Sequence, residues 1–158
     1  MAISHPLLDD DGKAIRDPIW GYVHIPAPLL ALVDTEDFQR LRNISQLGFV
    51  HLVYPGARHS RFEHSLGVYH LAKQFLQRLL ESDPPLELAD EDIPVFLAAT
   101  LLHDLGHYPF SHTLEELTPF FVSHEQRARR VIEDPKGEVY RVLRDELQVD
   151  PARVANVI

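Results

Sequence analysis

Hydrophobic residues recur at helical spacing along most of the chain. The clearest example follows Ser60 and Glu63, whose separation is that of a capping box, so we expect a long helix to begin there. Its inward positions, three or four residues apart, would be Phe62, Leu66, Tyr69, Ala72, Leu76 and Leu79. A second stripe on this helix consists of His64, Val68, Leu71 and Phe75. A helix that is apolar on two faces is expected to be central, with His64 pointing into the protein.

Further helices are predicted by apolar periodicity and by the residues that favour helix ends. Asp34 and Asp37 can begin a helix that turns Phe38, Leu41 and Ile44 inward. Residues 93–102 are nearly all apolar and predict a buried core helix that ends near Gly106. The remaining helical signals are starts at Ser111, at Ser123 with Gln126, and at Asp150 before Pro151, and an amphipathic segment over residues 137–147. Strand signals are weak, so the sequence predicts an all-α fold that allows one small β-hairpin, near Val23 or Val50.

Composition narrows the classes of function. A chain of 158 residues with 45% apolar residues is expected to form a single domain over residues 1–158. The formal net charge of −9 makes binding to duplex nucleic acid unfavourable. The lack of cysteine excludes thiolate ligands and fits a reducing cytoplasm. Neither a membrane-length apolar run nor an export signal is present, so we expect a soluble cytoplasmic protein without a membrane partner.

Histidine is abundant, with ten residues in the chain. His103 and Asp104 are adjacent at the predicted end of the core helix, where a change of chain direction would let both reach one ion. His64, on another helix, could supply a third ligand. Imidazole and carboxylate suit one divalent transition metal, either iron, manganese, zinc, cobalt or nickel. The alternative for His64 is an ordinary hydrogen-bonded core histidine.

Residues 103–112 bring three histidines and one aspartate into a short segment. Imidazoles this close would lower one another's pKa if buried, which would keep some neutral for metal ligation and leave another to carry a proton. The alternative is a surface loop in which the histidines are accidental. Arg127, Arg129 and Arg130 could suggest phosphate binding, but the acidic residues beside them favour a solvated helix face.

Five ordered blocks resemble the HD-domain phosphohydrolases, and more narrowly the deoxynucleoside-triphosphate triphosphohydrolase branch of that family. The blocks are residues 17–21 (DPIWG), 38–48 (FQRLRNISQLG), 54–67 (YPGARHSRFEHSLG), 102–112 (LHDLGHYPFSH) and 123–126 (SHEQ). The motifs thus cover residues 17–126 and imply an HD-domain helical bundle.

The resemblance implies a role for individual positions. His64, His103 and Asp104 fall on three of the family's four metal ligands. The positions associated with catalysis are His107, His124 and Glu125, and those that contact sugar or phosphates are Gln46, Arg61 and His112. A guanidinium at Arg61 fits this role because it can form paired hydrogen bonds to phosphate oxygens. Taken alone, Arg61 could equally be a surface arginine at a helix start.

The resemblance also implies a fourth ligand, an aspartate in a downstream helix that this chain does not match. We therefore expect residues 1–158 to be the N-terminal part of a longer protein, with little activity of their own. The implied activity is metal-dependent hydrolysis of deoxynucleoside triphosphates, and family members commonly form homo-oligomers. The alternatives are a phosphomonoesterase or cyclic-nucleotide phosphodiesterase of the same superfamily, or a non-catalytic nucleotide-binding regulatory module.

Overall fold

The computed structural model describes residues 5–110 and 120–158. A short 3-10 helix and a two-stranded hairpin come first, followed by helices that surround a common apolar core. The strands are β1 (Lys13–Asp17) and β2 (Gly21–Ile25), and the α-helices are α1 (Ala27–Val33), α2 (Glu36–Gln39), α3 (Arg61–Leu80), α4 (Asp92–Leu102), α5 (His124–Ile132), α6 (Glu138–Asp145) and α7 (Pro151–Val157). Short 3-10 helices span Pro6–Leu8, Arg40–Asn43 and Gly48–Leu52. The predicted all-α fold with one small hairpin is confirmed.

The hairpin forms around Val23, one of the two predicted places. Strands β1 and β2 pair antiparallel, with Ile15 opposite Val23. Asp17 closes the turn because its Oδ1 accepts hydrogen bonds from the backbone N–H groups of Ile19 and Trp20, at 2.8 and 3.0 Å. Val23 and Ile25 are fully buried, so the hairpin covers one side of the helical core. The other predicted place, near Val50, is a 3-10 helix instead.

The helix expected after Asp34 begins one residue later than predicted. Asp34 is the C-cap of α1, and Thr35 is the N-cap of α2, with its hydroxyl accepting a hydrogen bond from Phe38 N at 3.4 Å. Leu41 and Ile44 are buried as predicted, although they follow α2 in or beside a 3-10 helix. The apolar pattern therefore located the core residues, whereas the choice between two adjacent capping residues depended on how α1 ends.

Helix α3 has the predicted capping box at Ser60 and runs for 20 residues. In its first apolar stripe, Phe62, Leu66, Tyr69 and Leu76 are at most 4% exposed. The prediction is wrong for Leu79 at the end of this stripe, which is 47% exposed. The prediction that the second stripe is also buried is wrong, because Leu71 is 37% and Phe75 is 66% exposed. Helix α3 therefore packs into the core along one face only.

Helix α4 is the buried core helix that the sequence predicts. Ile93, Leu97, Leu101 and Leu102 are fully enclosed, and α4 packs against α1, α3 and α7. This packing fixes the direction in which the chain leaves the helix at His103. The residues of greatest chemical interest therefore follow directly from the best-packed element.

Helices α5 and α7 begin at the predicted caps. Ser123 Oγ accepts a hydrogen bond from Gln126 N at 3.3 Å, and Asp150 Oδ1 accepts one from Ala152 N at 3.0 Å. The predicted helix start at Ser111 lies outside the described residues. Among the helices of the described part, none is long and apolar enough to cross a membrane.

The prediction that the three arginines of α5 lie on a solvated face is right for Arg129 and Arg130, which are exposed, and wrong for Arg127, which is half-buried. Arg129 donates hydrogen bonds to Ala155 O at 3.1 Å and to Asn156 Oδ1 at 2.6 Å, and thereby joins α5 to α7. Arg127 turns towards the chain that leaves α4. Only Arg130 of the three is exposed without a hydrogen bond within the described residues.

Candidate metal centre

Two helices bring the predicted ligands together. His64 lies in the first turn of α3, and His103 caps the end of α4, with Asp104 immediately after it. Because α3 and α4 pack against each other, the side chains of these three residues meet. Their ligand atoms all lie within 4.8 Å of one another. Among the described residues, this is the one group of three or more such side chains with that spacing.

The spacing fits a divalent ion. Nε2 of His103 lies 3.3 Å from Nε2 of His64 and 3.5 Å from Oδ1 of Asp104, and His64 Nε2 lies 3.8 Å from Asp104 Oδ2. Tetrahedral ligands about 2.1 Å from an ion are roughly 3.4 Å apart. A single ion can therefore contact all three side chains with little rearrangement. The nitrogen and oxygen donors suit the borderline divalent metals.

The tautomer of His103 is set by a neighbouring carbonyl. Its Nδ1 lies 2.9 Å from the backbone oxygen of Thr100, which can only accept a hydrogen bond. The ring proton is therefore on Nδ1, and the lone pair of Nε2 faces His64 and Asp104. A carbonyl that orients a histidine in this way is a common support for metal ligands.

Asp104 is the most enclosed of the three ligands, with 6% exposure. Its Oδ2 accepts a hydrogen bond from Arg61 Nη1 at 2.6 Å, and its Oδ1 lies 3.2 Å from His107 Nε2. Burial alone would raise the pKa of Asp104, but the hydrogen bond from His107 and the charges of His103 and Arg61 lower it well below its usual value. Asp104 is thus ionised at neutral pH, as a ligating carboxylate must be.

The neighbouring histidines are held in the neutral form. Burial lowers the pKa of His64, and the opposing charge of Asp104 only partly offsets this. Burial likewise lowers the pKa of His107, against the hydrogen bond to Asp104. A neutral imidazole is the form that can bind a metal ion, so the site favours ligation by His64 at neutral pH.

The residues predicted to take part in proton transfer lie next to one another, beginning beside Asp104. His107 is only 2% exposed, and its ring stacks on that of His124 with 3.9 Å between centroids. His124 Nε2 lies 3.3 Å from Glu125 Oε1, and the Glu125 side chain is 54% exposed. The structure therefore orders the groups from a buried His107 through His124 to Glu125 at the surface.

The residues predicted to bind substrate are placed differently. Arg61 borders the ligand group through its contact with Asp104. Gln46 donates its backbone N–H to His59 O at 3.1 Å beside the start of α3, and its side-chain Oε1 is buried with no hydrogen-bond partner among the described residues. No direct contact joins Gln46 to the ligand group within the described part. His112 lies outside the described residues.

The side chains that hold the turn after α4 in place were not predicted from the sequence. Arg40 was given no role, and Arg127 was assigned to a solvated face, yet both donate hydrogen bonds to the carbonyls of residues 105–107. These contacts join residues up to 67 positions apart. A periodic pattern carries no signal for such pairs, because backbone carbonyls are present at every position.

Gly106 lets α5 approach this turn. A Cβ atom at Gly106 would lie 1.8 Å from the backbone oxygen of His124 and 2.6 Å from Ala128 N. Any larger residue would force the backbones apart. The turn that carries Asp104 and His107 therefore packs directly on the first turn of the helix that carries His124.

Comparison with known proteins agrees with this geometry. Residues 61–157 match the HD domain family, and this segment includes His64, His103, Asp104 and His124. The chain belongs to the HD domain family.

Comparison with individual relatives indicates which members of the family the chain resembles. It is 44% identical to the uncharacterized protein YwfO of Bacillus subtilis, over the whole of this chain and 35% of that protein. It is 47% identical to human deoxynucleoside triphosphate triphosphohydrolase SAMHD1 over 67% of this chain and 17% of that enzyme. It is 46% identical to the SAMHD1 homolog of Dictyostelium discoideum over 65% of this chain and 20% of that protein. The chain thus spans about a third of the first relative and a fifth or less of the other two.

Proposed function

We propose that this chain is the metal-binding part of a phosphohydrolase that cleaves deoxynucleoside triphosphates into deoxynucleoside and triphosphate. The observation that carries the proposal is the convergence of His64, His103 and Asp104 beside the guanidinium of Arg61. Similarity to triphosphohydrolases over about two thirds of the chain supports the choice of substrate.

In the proposed reaction, the oxygen of water bonds to the α-phosphorus while the bond to the 5′ oxygen breaks. The 5′ oxygen takes up a proton and leaves as the deoxynucleoside. His64, His103 and Asp104 would hold the divalent ion, which supplies Lewis acidity towards a phosphoryl oxygen when bound. The task of the remaining residues is to orient the substrate and to move the proton.

Substrate contacts are assigned to Arg61 and Gln46. Arg61 is oriented by Asp104 at 2.6 Å, which places a cation next to the ligand group, where a phosphate oxygen would lie. Gln46 has a buried acceptor, Oε1, that meets no donor in the described structure, so we assign it to a sugar hydroxyl. A substrate contact is also assigned to His112, on the family resemblance alone.

Proton transfer is assigned to His124 with Glu125. The His124 side chain is 19% exposed and lies against Glu125, whereas His107 is enclosed beneath it and bonded to Asp104. His124 can therefore exchange a proton with a bound substrate. His107 would support this step by holding the ring of His124 in a stack and by orienting Asp104.

The proposal is tested by product analysis with the full-length protein. We expect incubation with a panel of deoxynucleoside triphosphates and Mn²⁺ to yield deoxynucleoside and intact triphosphate, separated by anion-exchange chromatography. Release of pyrophosphate or phosphate would contradict this chemistry. Hydrolysis of only phosphomonoesters or cyclic nucleotides would favour another HD activity, and nucleotide binding without turnover would favour a regulatory module.

A matched pair of variants tests the site. Asp104→Asn removes the ligating charge while keeping the shape of the side chain, so we expect more than about a 100-fold loss of turnover, beyond the effect of altering a residue that only supports a ligand. Asp145→Asn makes the same chemical change at an exposed position of α6 and should leave turnover unchanged. Equal activity of the two variants would contradict the assignment of the metal site.

A further inference from the structure

Two arginines hold the three successive carbonyl groups of the turn that follows α4. Arg40 donates from Nη1 to His107 O at 2.8 Å and from Nη2 to Leu105 O at 2.6 Å. Arg127 Nη1 donates to Gly106 O at 3.0 Å and to His107 O at 3.3 Å. We call this arrangement, Arg40 and Arg127 on the carbonyls of residues 105–107, the arginine clamp.

The clamp acts on the backbone between two functional side chains. Asp104 immediately precedes the clamped residues, and His107 ends them and donates to Asp104 Oδ1 across the turn. The path of these carbonyls therefore determines how far the His107 ring stands from the Asp104 carboxylate. A shift of the turn would change the direction of the carboxylate oxygens that face His64 and His103.

The chemistry of the clamp suits arginine. The two terminal nitrogens of Arg40 donate to carbonyls two residues apart in the fixed geometry of a planar fork, which the flexible, compact ammonium of a lysine does not supply. The arrangement also brings two cations together: burial and then the charge of Arg127 lower the pKa of Arg40. The partial negative charge of the carbonyls at the end of α4 offsets the repulsion between the two cations, and the four hydrogen bonds fix the position of the turn.

The clamp also joins separate parts of the fold. Arg40 comes from the 3-10 helix after α2, and Arg127 comes from the first turn of α5, close to His124. The negative charge of Asp37 raises the pKa of Arg40 and so favours its charged form, and the Tyr108 ring lies beneath Arg127, with 4.9 Å from the guanidinium carbon to the ring centroid. Both arginines are thus themselves held in place.

We propose that Arg40 and Arg127 are positioning residues that set the geometry of Asp104 and His107 through the backbone of residues 105–107. This inference rests on the proposed function, because it assumes that Asp104 binds the metal. The two arginines do not contact substrate in this proposal. They act on metal affinity and turnover, and substrate affinity is left largely unchanged.

Charge-conserving variants test the clamp. Arg40→Lys and Arg127→Lys keep the positive charge but lose the fork, and Arg130→Lys is the matched control at an exposed position of α5. In the full-length protein we expect each clamp variant to bind Mn²⁺ at least about 10-fold more weakly, as measured by the paramagnetic resonance of the free ion. With deoxynucleoside triphosphate at saturating Mn²⁺, kcat should fall while KM changes by less than about threefold. Arg130→Lys should match the wild type.

A measurement on the protein without metal distinguishes a positioning role of Arg40 and Arg127 from a role in stability alone. In the apo protein, the imidazole ¹⁵N resonances of His107 report its hydrogen bond to Asp104, and we expect them to shift in both clamp variants and not in Arg130→Lys. All measurements are made below the melting range of the least stable variant. If a lysine variant does not fold, Arg127→Ala with added guanidinium replaces it, and restored Mn²⁺ affinity is the expected result.

The outcomes distinguish the two proposals. Wild-type Mn²⁺ affinity and unshifted His107 signals in both clamp variants would overturn the clamp and leave the proposed function standing. A wild-type protein that binds no Mn²⁺ would overturn the proposed function, and the His107 resonances alone would then decide whether the arginines set the geometry of this turn.

Discussion

Helix α4 and the turn that follows it are both buried, but their burial differs in kind. Ile93, Leu97 and Leu101 are fully enclosed apolar side chains, for which contact with other apolar groups is sufficient. Asp104 and His107 are 6% and 2% exposed, and each needs specific polar partners at that depth. The body of α4 therefore stabilises the fold. The turn needs separate supports, and these make it chemically useful.

The largest expected effect is a loss of stability when an enclosed side chain of α4 is truncated. Leu97→Ala should lower the free energy of unfolding by about 2–5 kcal/mol, because a fully enclosed side chain leaves a cavity. Urea unfolding measures this change. Phe75→Ala, at a side chain that is 66% exposed, is the control and should stay within about 0.5 kcal/mol. Similar losses in both variants would contradict the one-sided packing of α3.

Stabilisation by the metal ion should depend on the residues of the candidate site and not on the apolar side chains of α4. At Mn²⁺ concentrations about 100 times the dissociation constant, the ion should add roughly 2.7 kcal/mol to the stability of the wild type. Leu97→Ala should gain the same increment, since its ligands are intact, whereas His64→Ala should lose most of it. Thermal melting with and without Mn²⁺ measures both. An increment that persists in His64→Ala would place the ion elsewhere.

Gly106→Ala should lower both the stability of the fold and the affinity of the site for metal. The added methyl group would meet the backbone of His124 and Ala128, so we expect a loss of about 1–3 kcal/mol in urea unfolding and weaker Mn²⁺ binding. Gly56→Ala is the control, because a Cβ there would meet nothing within 4 Å. Unchanged Mn²⁺ affinity in Gly106→Ala would show that the turn tolerates displacement.

The smallest expected difference concerns the surface of α5. Arg129→Ala removes the hydrogen bonds that join α5 to α7 and should cost about 1 kcal/mol. Arg130→Ala should stay within about 0.5 kcal/mol, since that side chain is exposed. Chemical unfolding of the two variants in parallel provides the measurement. Equal values would mean that the contacts of Arg129 add nothing in solution.

Local signals in the sequence predicted the main helices of the fold and indicated the residues of the candidate metal site. The capping box at Ser60, the apolar run of α4 and the caps at Ser123 and Asp150 depend on residues a few positions apart, and the structure confirms them. The convergence of His64 on His103 needed more than periodicity, and the resemblance to a family supplied it.

What the sequence could not predict depends on distant partners. Whether Leu71 and Phe75 are covered is decided by other elements, and their helical spacing is the same in either case. Arg40 has no distinctive neighbours in the sequence, and the carbonyls that it binds are 65 and 67 residues away. Charge patterns likewise grouped Arg127 with Arg130, although one contacts the turn and the other is exposed.

The position of Arg61 has a consequence for how a polyanion reaches the site. The chain carries a net charge of −9, which repels a nucleotide at long range, whereas Arg61 acts only within a screening length of about 8 Å at physiological salt. Added salt weakens the distant repulsion more than the close attraction. For the nucleotide substrate proposed above, the association rate with this chain should therefore rise as ionic strength increases from low values, because long-range repulsion then weakens more than the short-range attraction of Arg61.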